Sequence, residues 1–142
     1  MNFFRTYFLP RCRKVWQHIH SHGFDVILHS CGEITTILPD LIEAGLNVIN
    51  MDQQENMGLE KLAREFGGRI CFWNPVDIQT VMFQGTPMDV EKYVLRMILA
   101  LGSSQGGFIG KHYPQPEGAG QSEANRKAES DAFIKYRNVF MK

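Results

Sequence analysis

Residues 24–45 read FDVILHSCGEITTILPDLIEAG, from Phe24 to Gly45, and this stretch decides the fold. Its first eight residues, ending in His29-Ser30-Cys31, are short and apolar enough for a buried strand, and Gly32 lets the chain turn at once. Residues 34–44 then read as a helix that Gly45 stops. Working downstream, the same unit returns. Residues 46–51 are strand-like, and Leu59, Leu62, Ala63 and Phe66 mark the apolar stripe of a helix ended by Gly67-Gly68. Residues 69–74 form a third strand. Thr86 supplies a cap, Pro87 a first-turn proline and Asp89 an early acid ahead of a helix carrying Val90, Val94, Ile98 and Leu101. Residues 107–111 make a short fourth strand. A Pro- and Gly-rich loop over 113–121 follows, and then a helix that begins near Ser122 and carries Ala128, Ala132, Phe133, Tyr136 and Phe140. Upstream, a leading helix has Pro10 in its first turn, Cys12, Val15, Trp16 and Ile19 at helical spacing, and a stop at Gly23.

Strands separated by helices are joined by crossovers, so they pair in parallel, and the class is α/β. Two architectures satisfy the pattern. One is an open doubly wound sheet; the other is half of an eight-stranded (βα)8 barrel, which typically takes about 250 residues against the 142 here. In both, chemistry sits at the C-terminal ends of the strands. Neither GxGxxG nor GxxxxGK[ST] follows any strand; the run from Gly102 to Gly107 precedes one, which argues against a nucleotide site.

Composition narrows the function classes. The chain has 44% hydrophobic and 21% charged residues, enough apolar material for one core, and residues 1–142 read as a single domain. Fifteen Lys plus Arg balance fifteen Asp plus Glu, so a basic nucleic-acid binder is disfavoured. Apolar runs of about five residues fall far short of the roughly 20 that cross a bilayer, and Met1-Asn2-Phe3-Phe4-Arg5 lacks the pattern of a secretory signal. Three widely spaced cysteines, Cys12, Cys31 and Cys71, argue against a disulfide framework and for the reducing cytosol.

The sharpest chemical feature is His29-Ser30-Cys31-Gly32 at the end of the first strand. Residues two apart on a strand share a face, so His29 and Cys31 project together as a chelating pair. Imidazole and thiolate are preferred partners of zinc, whose catalytic sites take three protein ligands and leave one position open. The alternative is a buried small thiol beside a hydrogen-bonded core histidine. A third ligand would come from another strand end, and His112 ranks first there, ahead of Asp52 and Cys71; otherwise His112 is a loop histidine facing water. Glu33 is an outer-shell partner or a first-turn acid. Asp77, after Asn74-Pro75-Val76, is an acid or acceptor for substrate, or a cap for the helical turn over residues 78–83. His18 and His22 stand one helical turn apart where imidazoles meet free carbonyls, which favours capping. Lys111 is the cation placed at a strand's C-terminal end, whereas Arg126 and Lys127 suit a solvated face, and Phe72 and Trp73 suit packing.

Together, several segments carry a resemblance. They are His29-Ser30-Cys31-Gly32, residues 37–45, Asn47-Val48-Ile49-Asn50, Phe66-Gly67, Asp77-Ile78-Gln79, Gly85-Thr86-Pro87 and Gly106-Gly107-Phe108-Ile109. In that order they resemble the C-terminal half of the uroporphyrinogen decarboxylase superfamily, and more distantly the cobalamin-independent methionine synthase barrel. The resemblance implies four βα units of a TIM-type (βα)8 barrel behind a leading helix. It also implies either of two activities: porphyrinogen decarboxylation in haem synthesis, or zinc-dependent methyl transfer between a corrinoid and a thiol. HSCG is similar to the zinc-binding His-x-Cys of the methyltransferase branch. A polycarboxylate substrate would call for several arginines, yet Arg69 starts its strand at the wrong end and Lys111 alone is well placed. The resemblance therefore implies zinc on His29 and Cys31, a thiol acceptor held as thiolate, and a methylcorrinoid supplied by a partner protein.

The departures from the pattern are specific. Where zinc methyltransferases of this type place a further cysteine after the last strand, this sequence has Lys111-His112-Tyr113-Pro114, so His112 replaces it or the ligand set is incomplete. The N-terminal half of the barrel, with the decarboxylases' catalytic aspartate and arginine-bearing segment, has no counterpart. A four-unit sheet leaves two open edges, so a homodimer, completion by another barrel half, or a truncated gene product is expected. The reading from a different class is a non-catalytic half-barrel in which His29 and Cys31 are merely packed.

Overall fold

The computed structural model describes residues 3–113 and 120–141. The expected loop over 113–121 therefore lies, apart from its ends, outside the described residues. After one π-helical turn (Phe4–Phe8) come α1 (Leu9–Ser21), β1 (Ile27–His29), α2 (Leu38–Ala44) and β2 (Val48–Asn50). A 3-10 turn (Gln54–Asn56) leads to α3 (Leu59–Phe66) and β3 (Cys71–Asn74), followed by α4 (Val81–Gln84) and α5 (Pro87–Leu101). The chain ends with β4 (Phe108–Gly110) and α6 (Glu123–Tyr136). The four strands form one parallel sheet in the order β1-β2-β3-β4. Each strand lies beside the one before it, with helices between, which is the arrangement of consecutive (βα) units in a TIM-type barrel.

The signals in the sequence set most boundaries. Thr86 caps α5 in a capping box, its hydroxyl accepting from Asp89 N–H while the Asp89 carboxylate accepts from Thr86 N–H at 2.9 Å. Gly45 ends α2 at φ 110°, a left-handed position that suits glycine. Two helices differ from expectation. The helix read over 34–44 begins at Leu38, because Pro39 has no N–H to give a carbonyl four residues back and is tolerated only in a first turn. The last helix ends at Tyr136, so Phe140 lies in the turn beyond it while still packing on the core. On α1, Trp16 is buried and Cys12 and Ile19 pack against the core, but Val15 is exposed and does not belong to the buried stripe.

The two sheet faces are unlike. Ile49, Met51 and Phe72 point into the helix layer and are almost completely buried against Leu41, Leu62, Val94 and Met97. Each such side chain stabilises the fold by roughly 1.5–3 kcal/mol. Opposite, Ile27 is 56% and Ile109 47% exposed, and no helix of the described residues covers them. The alternation along β3, half-buried then buried, records the same division. Among the described residues no helix is long and apolar enough to cross a membrane.

Candidate functional site

The parallel register lines up His29 of β1 with Asn50 of β2, at the C-terminal strand ends and on the bare face. Two residues further along each strand, Cys31 and Asp52 follow on that face, and Lys111 and Tyr113 follow Ile109 of β4 in the same way. The sequence thus delivers one polar layer from three strand ends.

His29 and Cys31 meet as their spacing predicts. Cys31 Sγ lies 3.3 Å from His29 Nε2, and both side chains reach solvent. Zn–S of about 2.3 Å and Zn–N of about 2.0–2.1 Å at a tetrahedral angle place the two donor atoms roughly 3.6 Å apart, close to the spacing found. The other ring nitrogen, Nδ1, is held 2.7 Å from Asn50 Oδ1. The pair therefore fits a metal of zinc's preferences as two donors with an oriented imidazole. Among the described residues no third His, Cys, Asp or Glu is gathered with them at ligand spacing.

Beside the pair stands an ion-pair network. Lys111 Nζ donates to Asp52 Oδ1 at 3.0 Å, to Asn50 Oδ1 at 3.1 Å and to Tyr113 OH at 2.9 Å, and the Tyr113 hydroxyl donates to Asp52 Oδ2. The ammonium also sits 4.4 Å from the centroid of the Tyr113 ring. Asp52 is buried, and Lys111 keeps only 16% of its side chain exposed. Burial alone would push the Lys111 ammonium down, but the Tyr113 and Asp52 oxygens more than offset it and hold it above the ordinary lysine value. The Tyr113 phenol is pushed up by burial and by the Asp52 carboxylate. The network is electrically neutral.

Comparison with known protein families matches residues 1–111 to uroporphyrinogen decarboxylase (URO-D). The chain belongs to this family. No curated protein and no solved structure matches it. The strand-end layer just described lies within the matched stretch except for Tyr113, while His112 and α6 lie beyond it.

The remaining candidates of this URO-D-family chain fall elsewhere. His112 directs Nδ1 to Glu129 Oε2 of α6 at 2.9 Å, and Glu129 Oε1 accepts from Val76 N–H at 2.9 Å. Burial pushes the Glu129 carboxyl up, against the downward pull of the Val76 N–H and His112. Asp77 is buried and works as a cap, accepting from the N–H groups of Gln79 and Thr80 on one oxygen and from Glu55 N–H on the other. Glu33 accepts from the Thr35 hydroxyl and from Thr35 N–H at 3.0 Å, and the hydroxyl bond holds its carboxyl below the ordinary range. Cys71 opens β3 at the opposite end of the sheet, and burial pushes its thiol up. His22 Nδ1 meets His18 O at 2.9 Å, the capping arrangement.

Sequence reasoning missed three members: Asn50, Tyr113 and Glu129. Asn50 was readable, since any residue paired with His29 on a neighbouring parallel strand shares its layer. Glu129 carried no signal, because an acid within a helix ordinarily faces water. A cavity of about 580 Å³ runs along β4 and α6, lined by Phe108, Phe133, Phe140 and His112; His29 and Cys31 are not part of it.

Proposed function

We propose that this URO-D-family chain serves methyl transfer to a thiol, with zinc on His29 and Cys31 and the methyl group brought by a corrinoid on a partner protein. The observation that carries the reading is the 3.3 Å contact between Cys31 Sγ and His29 Nε2 at an exposed strand end. His112 is turned to Glu129 of α6 and is not gathered with the pair, so in this reading the third donor would come from outside the gathered residues and the remaining position would take the acceptor. Zinc held there keeps an acceptor thiol deprotonated and nucleophilic at neutral pH. The chain's own part is to aim the imidazole through Asn50, hold Cys31 within reach of it, and present the acceptor to an open face. Asp77 and Glu33 shape the turns around the site, since their oxygens serve backbone and hydroxyl donors.

Neutrality favours this reading over porphyrinogen decarboxylation. A substrate bearing several carboxylates calls for free cations, and Lys111 is already committed to Asp52. The test is zinc stoichiometry by elemental analysis on protein purified without a metal-affinity tag, beside Cys31→Ser. About one zinc per chain, lost in the variant, is expected. Less than about a tenth of an equivalent in both, after incubation with zinc, would remove the metal and return the choice to a decarboxylase or a non-catalytic half-barrel.

A further inference from the structure

We infer that Asn50 is a positioning residue that fixes His29 as the Nδ1–H tautomer, so that the Nε2 lone pair faces Cys31. The inference rests on the reading of His29 and Cys31 as the working pair, and it holds whether or not that pair takes a metal. Asn50 is 3% exposed and every atom of its amide is engaged. Its nitrogen donates to the Trp73 carbonyl and to Asp52 Oδ1 at 3.3 Å, and its oxygen accepts from Lys111 Nζ at 3.1 Å. Rotating the amide by half a turn would set the nitrogen against the lysine ammonium and the oxygen against a carbonyl and a carboxylate. The oxygen must therefore face His29.

An amide oxygen only accepts, so the ring nitrogen 2.7 Å from it, Nδ1, carries the proton. Nε2 is then an acceptor, placed 3.3 Å from the Cys31 sulfur. It can take the thiol's hydrogen bond or offer its lone pair to a metal, and it can do neither as Nε2–H. A neutral imidazole free in water prefers that Nε2–H form, so the protein reverses the ring's own preference. The chain of cause runs from Asp52, Trp73 and Lys111 through one buried amide to one lone pair.

The test is long-range proton–nitrogen NMR of the whole metal-free chain at a pH of about 8, above the range in which a free imidazole takes up its second proton. His29 is expected as Nδ1–H in the wild type. Asn50→Leu, and Asn50→Ser should the leucine variant fold poorly, remove the acceptor and are expected to return the ring to Nε2–H. An Nε2–H ring in the wild type, or an Nδ1–H ring that persists in both Asn50→Leu and Asn50→Ser, overturns the inference. Zinc titration of the same proteins is expected to show affinity about ten- to a hundredfold weaker in Asn50→Leu than in the wild type. A chain that binds no zinc yet shows the tautomer change refutes the metal reading and upholds the role of Asn50.

Discussion

Replacing Lys111 by methionine exposes the energetics of the strand-end network. The variant keeps an unbranched side chain one atom shorter and removes the charge, which leaves the Asp52 carboxylate, 5% exposed, with Tyr113 and Asn50 as its partners. Breaking a buried ion pair by removing one member costs about 3–5 kcal/mol. Two neutral donors remain and Lys111 is not wholly buried, so the loss should fall at or below the lower bound of that range, about 2–3 kcal/mol. With a urea m-value of about 1.5 kcal/mol/M, the midpoint drops by roughly 1.3–2 M at pH 7. The sign with pH follows from linkage. In the wild type Lys111 is raised above 10.5, so its contribution persists across neutral pH and is lost only as pH rises through that higher value. The double variant Lys111→Met with Asp52→Asn removes both charges and should recover to within about 1 kcal/mol of wild type. A single variant that loses less than about 0.5 kcal/mol, or a double variant no better than the single, would refute the account.

Three further outcomes are expected. Thr86→Ala removes the hydroxyl end of the α5 capping box and should cost about 1 kcal/mol in urea unfolding; with its hydroxyl partner holding Asp89 below 3.8, that carboxylate stabilises above this value and the contribution is lost as pH falls through the lowered one. A unit-length loss of cap stability independent of pH would contradict the reciprocal bond. Among the three thiols Cys31, exposed beside an imidazole, should alkylate first and Cys71, pushed up by burial, last; equal rates for the two would contradict the geometry, and Cys31→Ser should remove the fast phase. The bare sheet face with Ile27 and Ile109, and the open edges of β1 and β4, should be covered by a second copy, so light scattering is expected to give twice the 16.3 kDa chain mass; a monomer that melts cooperatively at every concentration would refute this.

The fold was legible where one residue type has one backbone use. Thr86-Pro87 with Asp89 could only open a helix, and Gly45 could only close one. Pro39 was equally decisive and shortened α2, because the apolar spacing of residues 34–44 says nothing about which carbonyl lacks a donor. Phe140 kept its helical spacing relative to Tyr136 after the helix had ended, for the core draws in an apolar ring whatever backbone carries it. The site was legible along a strand and opaque across strands. His29 and Cys31 are fixed by a period of two, whereas the join of Asn50 and Asp52 to Lys111 needs the order of the sheet and a reach of about sixty residues along the chain.

That join also bears on where the chemistry lies. The cavity along α6 is lined by Phe108, Phe133 and Phe140, a surface that burial of any apolar group would satisfy. The strand-end layer is different in kind. Asn50 and Asp52 are buried polar side chains on the face that no helix of the described residues covers, and folding alone would be served as well by apolar residues of similar volume. Each is instead fully bonded, and the bonds converge on one exposed imidazole and, beside it, one thiol. A network so arranged contributes orientation more than stability. Substitutions within it should therefore separate the two properties: Lys111→Met with Asp52→Asn restores the stability that Lys111→Met loses, while Asn50→Leu changes the tautomer of His29, which neither charge controls directly.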